Sequence, residues 1–546
     1  MNNTKKIVRL KNEAINYNNS GNLEAAYKVY LKALKYNPED KFLINAVGMM
    51  CLRTKRIEDG LAHLKKNQQI SPNDVSVLTN LGLARILMGQ LDEAVNVLER
   101  AHAIDSAYMD AITNLCGAYN SRGDHQKVLG LSLKAITLDR THDKSYVSLG
   151  SALAGLGLSA EADIAFQTAL DLNSNCLDAM LNLALSASKK DSPTAVVLLE
   201  KVLLVSENTN YERINQTKSF LSFEYLKKGN LKKGWEYYDF NFDPFLPRYA
   251  IRSPTRIFEK PRWQGQAIGS KKLLIWNEQG LGDELMFLTC LNDVIHTGAS
   301  IILECDPRLV NTLARSFPSI RVRSPTYDAN NSCKTLDEDF EYHIPMGSLP
   351  GFFRENIEDF KKFVPYIVVD ESKNSDYSAR LTGTSDKLKI GICWRSGLLT
   401  ADRNSEYTSL QDWGPILSRQ DCIFVNLQYG DCEAELQAAE AKFGTKIIRW
   451  ADLDLKNDID DVFALISSLD LVVTAGTAVS PMSAAVGKPT LLIQSRWGWP
   501  NLGTNYNPWF PNIYCFTAGP DQIVADCIET VGDYLTELFN ITPSNG

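Results

Sequence analysis

Small residues and prolines recur at a spacing of 34 residues along the first part of the chain, as with Pro38 and Pro72. Small side chains let two antiparallel helices approach closely, and proline ends a helix. The pattern predicts a solenoid of helix pairs over residues 7–205, about six units in all. Three positions of the 34-residue period hold mainly small residues. The first holds Gly48, Gly82, Cys116 and Gly150, the second Ala33, Ala101, Ala135 and Ala169, and the third Gly60, Ala94, Val128 and Ala162.

Beyond residue 270 short apolar runs alternate with helical stretches, which is typical of parallel α/β sheets. Runs such as LLIW at 273–276, SIILECD at 300–306 and KIGICW at 389–394 predict buried strands. A polar stretch separates two groups of such runs. We therefore predict a repeat domain with a capping helix pair at 1–242, a linker at 243–270, an α/β lobe at 271–370, an interlobe linker at 371–388 and a second α/β lobe at 389–546.

Composition narrows the class of protein. The chain has 546 residues, of which 44% are hydrophobic and 22% charged, and its formal net charge is −8. That balance argues against a dedicated nucleic-acid-binding protein. The 11 cysteines have no metal-ligand spacing, which favours reduced thiols in a cytoplasmic protein. No apolar run approaches ~18 residues, so we expect no membrane span. The N-terminal stretch MNNTKKIVRLKNEAINYNNSGN has no apolar core of signal-peptide length, so we expect no signal peptide either.

Asparagines form a second periodic feature of the repeats. Asn80, Asn114 and Asn182 each stand two residues before the glycine position, and Ser148 takes the remaining slot. A side-chain amide donates and accepts at once, so such a ladder could bind the backbone of an extended peptide. The alternative is that each amide only bonds the neighbouring turn of its helix.

The repeats resemble the tetratricopeptide repeat family. A similar asparagine ladder lines the superhelix of repeat-containing protein O-glycosyltransferases. The resemblance implies a protein acceptor bound by Asn80, Asn114 and Asn182.

Two loops of the α/β part could carry chemistry. Gly280-Leu281-Gly282-Asp283 joins a strand to a helix but lacks the third glycine of the dinucleotide fingerprint. Asp283 is either a helix-start carboxylate or a general base. The stretch TAGTAVSPMSAAVGKP at 474–489 follows another strand, and Thr477 and Ser480 could cap a helix whose N-terminus faces a diphosphate.

In chain order, the motifs EQGLGDELMF, GICWRSG, FVNLQ and AAVGKP resemble the heptosyltransferase-related group of GT-B glycosyltransferases, in the branch fused to tetratricopeptide repeats. The resemblance spans roughly residues 260–520. It implies two Rossmann-like lobes, with the nucleotide sugar on the C-terminal lobe and the acceptor on the N-terminal lobe. It also implies an inverting, metal-independent transfer to Ser or Thr of a protein such as flagellin.

Site residues follow from the same resemblance. Asp283 matches the catalytic aspartate, and a basic side chain after the first strand of the second lobe matches a ligand of the donor phosphate. Many relatives carry an aspartate at the position of Gly476, and its loss favours an acidic, CMP-linked donor sugar. The donor-binding residues implied are Gly282, Arg395, Ser396, Arg403, Gln428, Thr477, Ala478 and Ser480.

Other interpretations remain open. The pairs Asp452–Asp454 and Asp458–Asp460 could hold a divalent cation, although solvated carboxylates are commoner and we expect no metal or other cofactor. Trp497 and Trp499 could stack on a base or pack in a core. Two alternative functions are a transferase acting on a lipopolysaccharide glycan and a non-catalytic repeat scaffold with a degenerate transferase domain. The lack of a basic amphipathic segment argues against the lipid-linked acceptor.

Overall fold

The computed structural model describes residues 3–54, 56–206, 211–242, 256, 258–326, 339–382, 387–397, 407–519 and 522–541. Its residue contacts divide the chain into two compact units, Met1–Thr217 and Lys218–Gly546.

The first unit is built from successive helix pairs. Six pairs lie within residues 3–206, which confirms the predicted repeat solenoid. A further helix begins at Tyr211 and crosses the boundary between the units. The helices are α1 (Asn3–Asn19), α2 (Leu23–Leu34), α3 (Lys41–Arg53), α4 (Ile57–Ile70), α5 (Val75–Leu87), α6 (Leu91–Ile104), α7 (Met109–Arg122), α8 (His125–Leu138), α9 (Asp143–Gly155), α10 (Ser159–Leu172), α11 (Leu177–Lys189), α12 (Thr194–Ser206) and α13 (Tyr211–Lys227).

The periodic glycines allow the two helices of a pair to touch. A Cβ atom built at Gly82 would lie 2.4 Å from Leu98 Cγ, and one built at Gly150 would lie 2.6 Å from Phe166 Cε1. These distances are far below van der Waals contact, so a larger residue would require the facing Leu98 or Phe166 side chain to shift within a packed core. The close approach predicted from the small-residue period is therefore present.

The second unit contains two parallel sheets. The strands are β1 (Lys272–Trp276), β2 (Ser300–Glu304), β3 (Arg321–Arg323), β4 (Tyr342–Pro345), β5 (Leu388–Cys393), β6 (Cys422–Asn426), β7 (Ile447–Ile448), β8 (Leu471–Ala475), β9 (Thr490–Gln494) and β10 (Ile513–Thr517). The strand orders are β3-β2-β1-β4 and β10-β9-β8-β5-β6-β7. Near-continuous burial of β1, β2 and β8 fits sheets covered on both faces.

Helices precede, connect and follow these strands. They are α14 (Leu231–Tyr238), α15 (Leu281–Leu288), α16 (Leu291–Ile295), α17 (Val310–Ser316), α18 (Pro350–Phe353), α19 (Glu371–Arg380), α20 (Gly414–Leu417), α21 (Glu433–Phe443), α22 (Ile459–Ser467), α23 (Val479–Ala485) and α24 (Cys527–Ile541). The strand orders reverse at β1/β4 and at β5/β8. In parallel sheets the crevice for a ligand lies at the carboxyl ends of the strands at such a reversal.

The predicted capping helices do not end the repeat unit. Most of α13 and all of α14 belong to the second unit, so the division falls at Thr217 rather than at residue 242. Trp235 and Tyr238 are 7% and 1% exposed within the core of the second unit. Tyr238 packs edge-on against Phe287, and Trp235 packs against Trp509. Aromatic contacts of this kind explain why α14 packs with the α/β part.

Both predicted linkers contain ordered structure. In the segment 243–270, Trp263 is 1% exposed and its backbone N–H donates to the carbonyl of His343 on β4. In the segment 371–388, α19 begins with Asp370 as its cap and buries Tyr377. Lys373 donates from α19 to Asp461 on α22 at 2.6 Å. A cap and one apolar anchor are enough to order a polar helix against its neighbour.

Candidate functional site

The turn after β1 joins that strand to α15, as the sequence predicts. Gly280 precedes α15, and its carbonyl accepts the backbone N–H of Asp283 at 2.9 Å and of Glu284 at 3.0 Å. Asp283 is half-buried in the first turn of the helix. Its position at a helix start beside the β1/β4 reversal fits either of the two roles predicted for it.

The turn after β1 meets the turn after β8. A Cβ atom built at Gly282 would lie 3.4 Å from Ala478 Cα and 3.5 Å from Pro481 Cγ. The two turns therefore lie in van der Waals contact at Gly282 and Ala478. This contact brings Asp283 close to Thr477–Ser480, the predicted donor-binding turn.

The turn after β8 is held by its own hydroxyl groups. The Thr477 hydroxyl accepts the backbone N–H of Val479 at 3.3 Å and lies 3.5 Å from Cys393 Sγ at the end of β5. Ser480 is buried and Ala478 is half-buried. Thr477 thus joins the carboxyl ends of β8 and β5, the two strands at which the order of the second sheet reverses.

Gln428 braces the loop that follows β5. Its side chain is 1% exposed, and Oε1 accepts the backbone N–H groups of Trp394 at 3.1 Å and Arg395 at 3.0 Å. Its Nε2 donates to the carbonyl of Tyr429 at 3.0 Å. The predicted donor-binding glutamine therefore shapes the loop that carries Arg395 and Ser396.

Arg395 is engaged by a carboxylate. Its Nε donates to both oxygens of Glu435 at 3.1 Å, and Nη2 donates to the same carboxylate and to the Asp431 carbonyl. Burial opposes ionisation of Glu435, but hydrogen bonds from Arg395 and Trp394 hold its pKa below the usual value. In this arrangement most N–H groups of the guanidinium serve the protein, so its role toward phosphate stays a prediction.

The remaining predicted donor residues divide into two cases. Ser396 is buried beside Arg395 in the loop after β5. Arg403 lies outside the described residues.

Sequence reasoning missed a buried acid next to Asp283. Glu284 is 1% exposed and accepts hydrogen bonds from Asn277 and from the backbone of Asp306. Burial raises its pKa to about 8, although both hydrogen bonds act in the opposite direction. The sequence does carry a signal for this buried acid, because a second acidic residue stands directly after the glycine-containing turn in an otherwise apolar helix.

Two asparagines of the ladder make hydrogen bonds within the first unit. Asn80 Nδ2 donates to Asn45 Oδ1 on the preceding helix pair at 3.0 Å. Asn182 Nδ2 donates to the Asp178 carbonyl one turn earlier at 2.8 Å, as the alternative interpretation expects. All three asparagines, including Asn114, keep some exposure. Peptide binding by this ladder remains a prediction.

The acidic pairs and tryptophans have structural contacts. Asp452 pairs with Arg380 at 2.8 Å, and Asp460 pairs with Lys373 at 3.2 Å. Trp499 packs 5.6 Å from the ring of Phe223. The described part of the chain contains no group of three or more His, Cys, Asp or Glu residues arranged to hold a metal ion. None of the described helices has the length and apolarity needed to cross a bilayer.

A family model described as "Tetratricopeptide repeat" matches residues 13–40, 75–108 and 143–176. These matches coincide with helix pairs of the first unit. The first unit therefore contains tetratricopeptide repeats at these residues. Tetratricopeptide repeats generally mediate protein–protein contacts.

Among curated proteins, two are similar in sequence to this chain. "Protein FlbA" of Caulobacter vibrioides is 27% identical over 516 residues, which cover 92% of this chain and 80% of that protein. Because this coverage exceeds either unit alone, the relative shares sequence with both. "BBSome complex member BBS4" of Bos taurus is 25% identical over 131 residues, covering 24% of this chain and 25% of that protein.

Solved repeat structures also match. "Crystal structure of MamA protein" is 25% identical with a TM-score of 0.27, covering 32% of this chain and 94% of that chain. A thermophilic tetratricopeptide repeat protein of Thermus thermophilus is 19% identical with a TM-score of 0.31, covering 33% of this chain and 98% of that chain.

Proposed function

We propose that this chain is a nucleotide-sugar-dependent glycosyltransferase with a GT-B arrangement of its two sheets, related to the heptosyltransferase group. It transfers the sugar to Ser or Thr of a protein, which the tetratricopeptide repeats recruit. The observation that carries the proposal is the approach of Gly282 to Ala478, which juxtaposes the carboxyl-end turns of the two sheets.

The proposed chemistry is a single displacement. The Asp283 carboxylate takes the proton of the acceptor hydroxyl while that oxygen attacks the anomeric carbon. The bond from the anomeric carbon to the donor phosphate breaks, its electron pair stays on the phosphate, and the configuration at carbon inverts. The leaving nucleotide lies at the turn formed by Thr477, Ala478 and Ser480, opposite Asp283.

The donor we favour carries an acidic sugar, such as a CMP-linked nonulosonic acid. Gly476 is exposed, and no described atom lies within 4 Å of a Cβ built there. The position thus leaves space beside the turn and contributes no negative charge that would repel a sugar carboxylate.

The acceptor we favour is a protein, with a flagellin as the candidate that the family resemblance suggests. Two observations support recruitment by the repeats. The first unit is a tetratricopeptide repeat array, and the similarity to FlbA runs across both units. A lipopolysaccharide glycan is the alternative acceptor, and an assay that offers both acceptors separates them.

The test is Asp283→Asn in the full chain. Asparagine keeps the shape of aspartate but is no base, so we expect transfer to fall by about 10²–10⁴-fold while nucleotide binding persists. The readout is incorporation of labelled sugar into a purified acceptor. Asp533→Asn on α24, an exposed carboxylate, is the matched control and should leave the rate unchanged.

One observation favours a second function, a non-catalytic scaffold. The Arg395 guanidinium is engaged by Glu435 and by a backbone carbonyl, and Gln428 is engaged by the loop. A scaffold would show no transfer with the wild-type chain and no response to Asp283→Asn, yet would still bind its protein partner.

A further inference from the structure

Glu284 joins three segments of the first sheet. It follows Asp283 in the first turn of α15, and its Oε1 accepts from Asn277 Nδ2, just beyond β1, at 2.8 Å. Its Oε2 accepts the backbone N–H of Asp306, two residues beyond β2, at 2.9 Å. A single buried side chain thus ties the ends of β1 and β2 to the start of α15.

The environment of Glu284 suits a neutral carboxyl group. Burial raises its pKa to about 8, which favours the protonated form near neutral pH. Asn277 is 8% exposed, and its Oδ1 is buried with no hydrogen-bond partner among the described residues. With this amide rotated by a half-turn, its oxygen would accept the O–H of a neutral Glu284 in place of the Nδ2 hydrogen bond, and its nitrogen would take the position that Oδ1 occupies.

The same turn is restrained on its other side. Gly282 lies against Ala478 and Pro481, and the N–H of Asp283 donates to Gly280. Asp283 therefore stands between a backbone contact on one side and the buried Glu284 on the other. A general base must hold its geometry to within a fraction of an ångström, because small displacements cost large factors in rate.

We propose that Glu284 and Asn277 are positioning residues for the reaction: together they form a buried clasp that orients the first turn of α15 and, through it, Asp283. The catalytic consequence rests on the proposed function, whereas the clasp itself does not. Neither residue contacts the donor or the acceptor in this account.

Two substitutions separate shape from chemistry. Glu284→Gln keeps the volume and both hydrogen-bonding roles of the neutral acid, whereas Glu284→Ala removes the clasp. At pH 7 we expect Glu284→Ala to lower kcat by about 10²-fold with the KM for the nucleotide sugar nearly unchanged, and Glu284→Gln to stay close to the wild type. Amide hydrogen exchange of residues 277–288 should accelerate in Glu284→Ala and not in Glu284→Gln.

Glu304→Gln is the control for a loss of stability. Glu304 is 2% exposed on β2 and pairs at 2.8 Å with Arg323 on β3, the neighbouring strand on the side opposite to β1. We expect the Glu304→Gln variant to lower Tm without lowering kcat beyond the effect of the lost stability. If Glu284→Ala does not fold, Asn277→Ala is expected to give the same loss of kcat and the same faster exchange.

Two results would overturn the clasp. One is unchanged exchange of residues 277–288 in Glu284→Ala; the other is a loss of kcat no larger than that of Glu304→Gln at equal loss of Tm. If the wild-type chain transfers no sugar to any acceptor, the proposed function fails, and the exchange rates alone decide whether the clasp exists.

Discussion

Single glycines set the spacing of the repeat helices. Gly82 on α5 faces Leu98 on α6, and a Cβ atom there would lie 2.4 Å from Leu98 Cγ. We expect Gly82→Ala to destabilise the first unit by about 1–3 kcal/mol, because the leucine must shift within a packed core. The measurement is the denaturant midpoint of the first unit, followed by hydrogen exchange.

Gly117 on α7 provides the matched control. It is also helical, but a Cβ atom built there meets nothing within 4 Å among the described residues. Alanine has the better helix propensity, so Gly117→Ala should stabilise the unit by up to about 1 kcal/mol. Opposite signs support the steric explanation, and equal destabilisation by both variants would contradict it.

At the scale of elements, α14 belongs to the α/β core. Trp235 is 7% exposed and packs against Tyr238 and Trp509 at ring distances of 5.6 and 6.2 Å. We expect Trp235→Ala to lower the free energy of unfolding of the second unit by about 3–5 kcal/mol. Amide hydrogen exchange in the repeats should stay unchanged. Tyr119→Ala, at a 4% exposed position in the first unit, is the reciprocal control. Equal loss of protection in both units after either change would contradict the observed division.

Regular elements were predictable because their signals are local. The 34-residue period indicated the helix pairs, and apolar runs such as 273–276 and 300–306 indicated the strands. The strand β3, with sequence RVR, has one apolar residue and no such signal. The unit in which α14 packs was not predictable either. Its amphipathic pattern indicates that one face of the helix is buried, but not which residues cover that face.

The sequence predicted which loops form the candidate site, but not the side-chain contacts within it. The glycine-containing turn and the turn after β8 were both identified by sequence, and the structure brings them together at Gly282. The pairing of Arg395 with Glu435 spans 40 residues and depends on how α21 packs beside the loop. Periodicity carries no information on such pairs, and the burial of Glu284 likewise depends on contacts with β1 and β2.

At the scale of the whole molecule, two compact units give two places where a ligand can act. A nucleotide bound at the α/β part should stabilise Lys218–Gly546 and leave Met1–Thr217 unaffected, because binding stabilises only the unit that holds the site. At about 100 times its Kd a ligand adds about 2.7 kcal/mol. We expect CMP to do this among CMP, UDP, GDP and ADP, read by thermal shift and unit-resolved hydrogen exchange, with and without magnesium. Stabilisation by UDP or GDP instead would keep the transferase and exclude the acidic CMP-linked donor, whereas no response to any nucleotide would favour the scaffold.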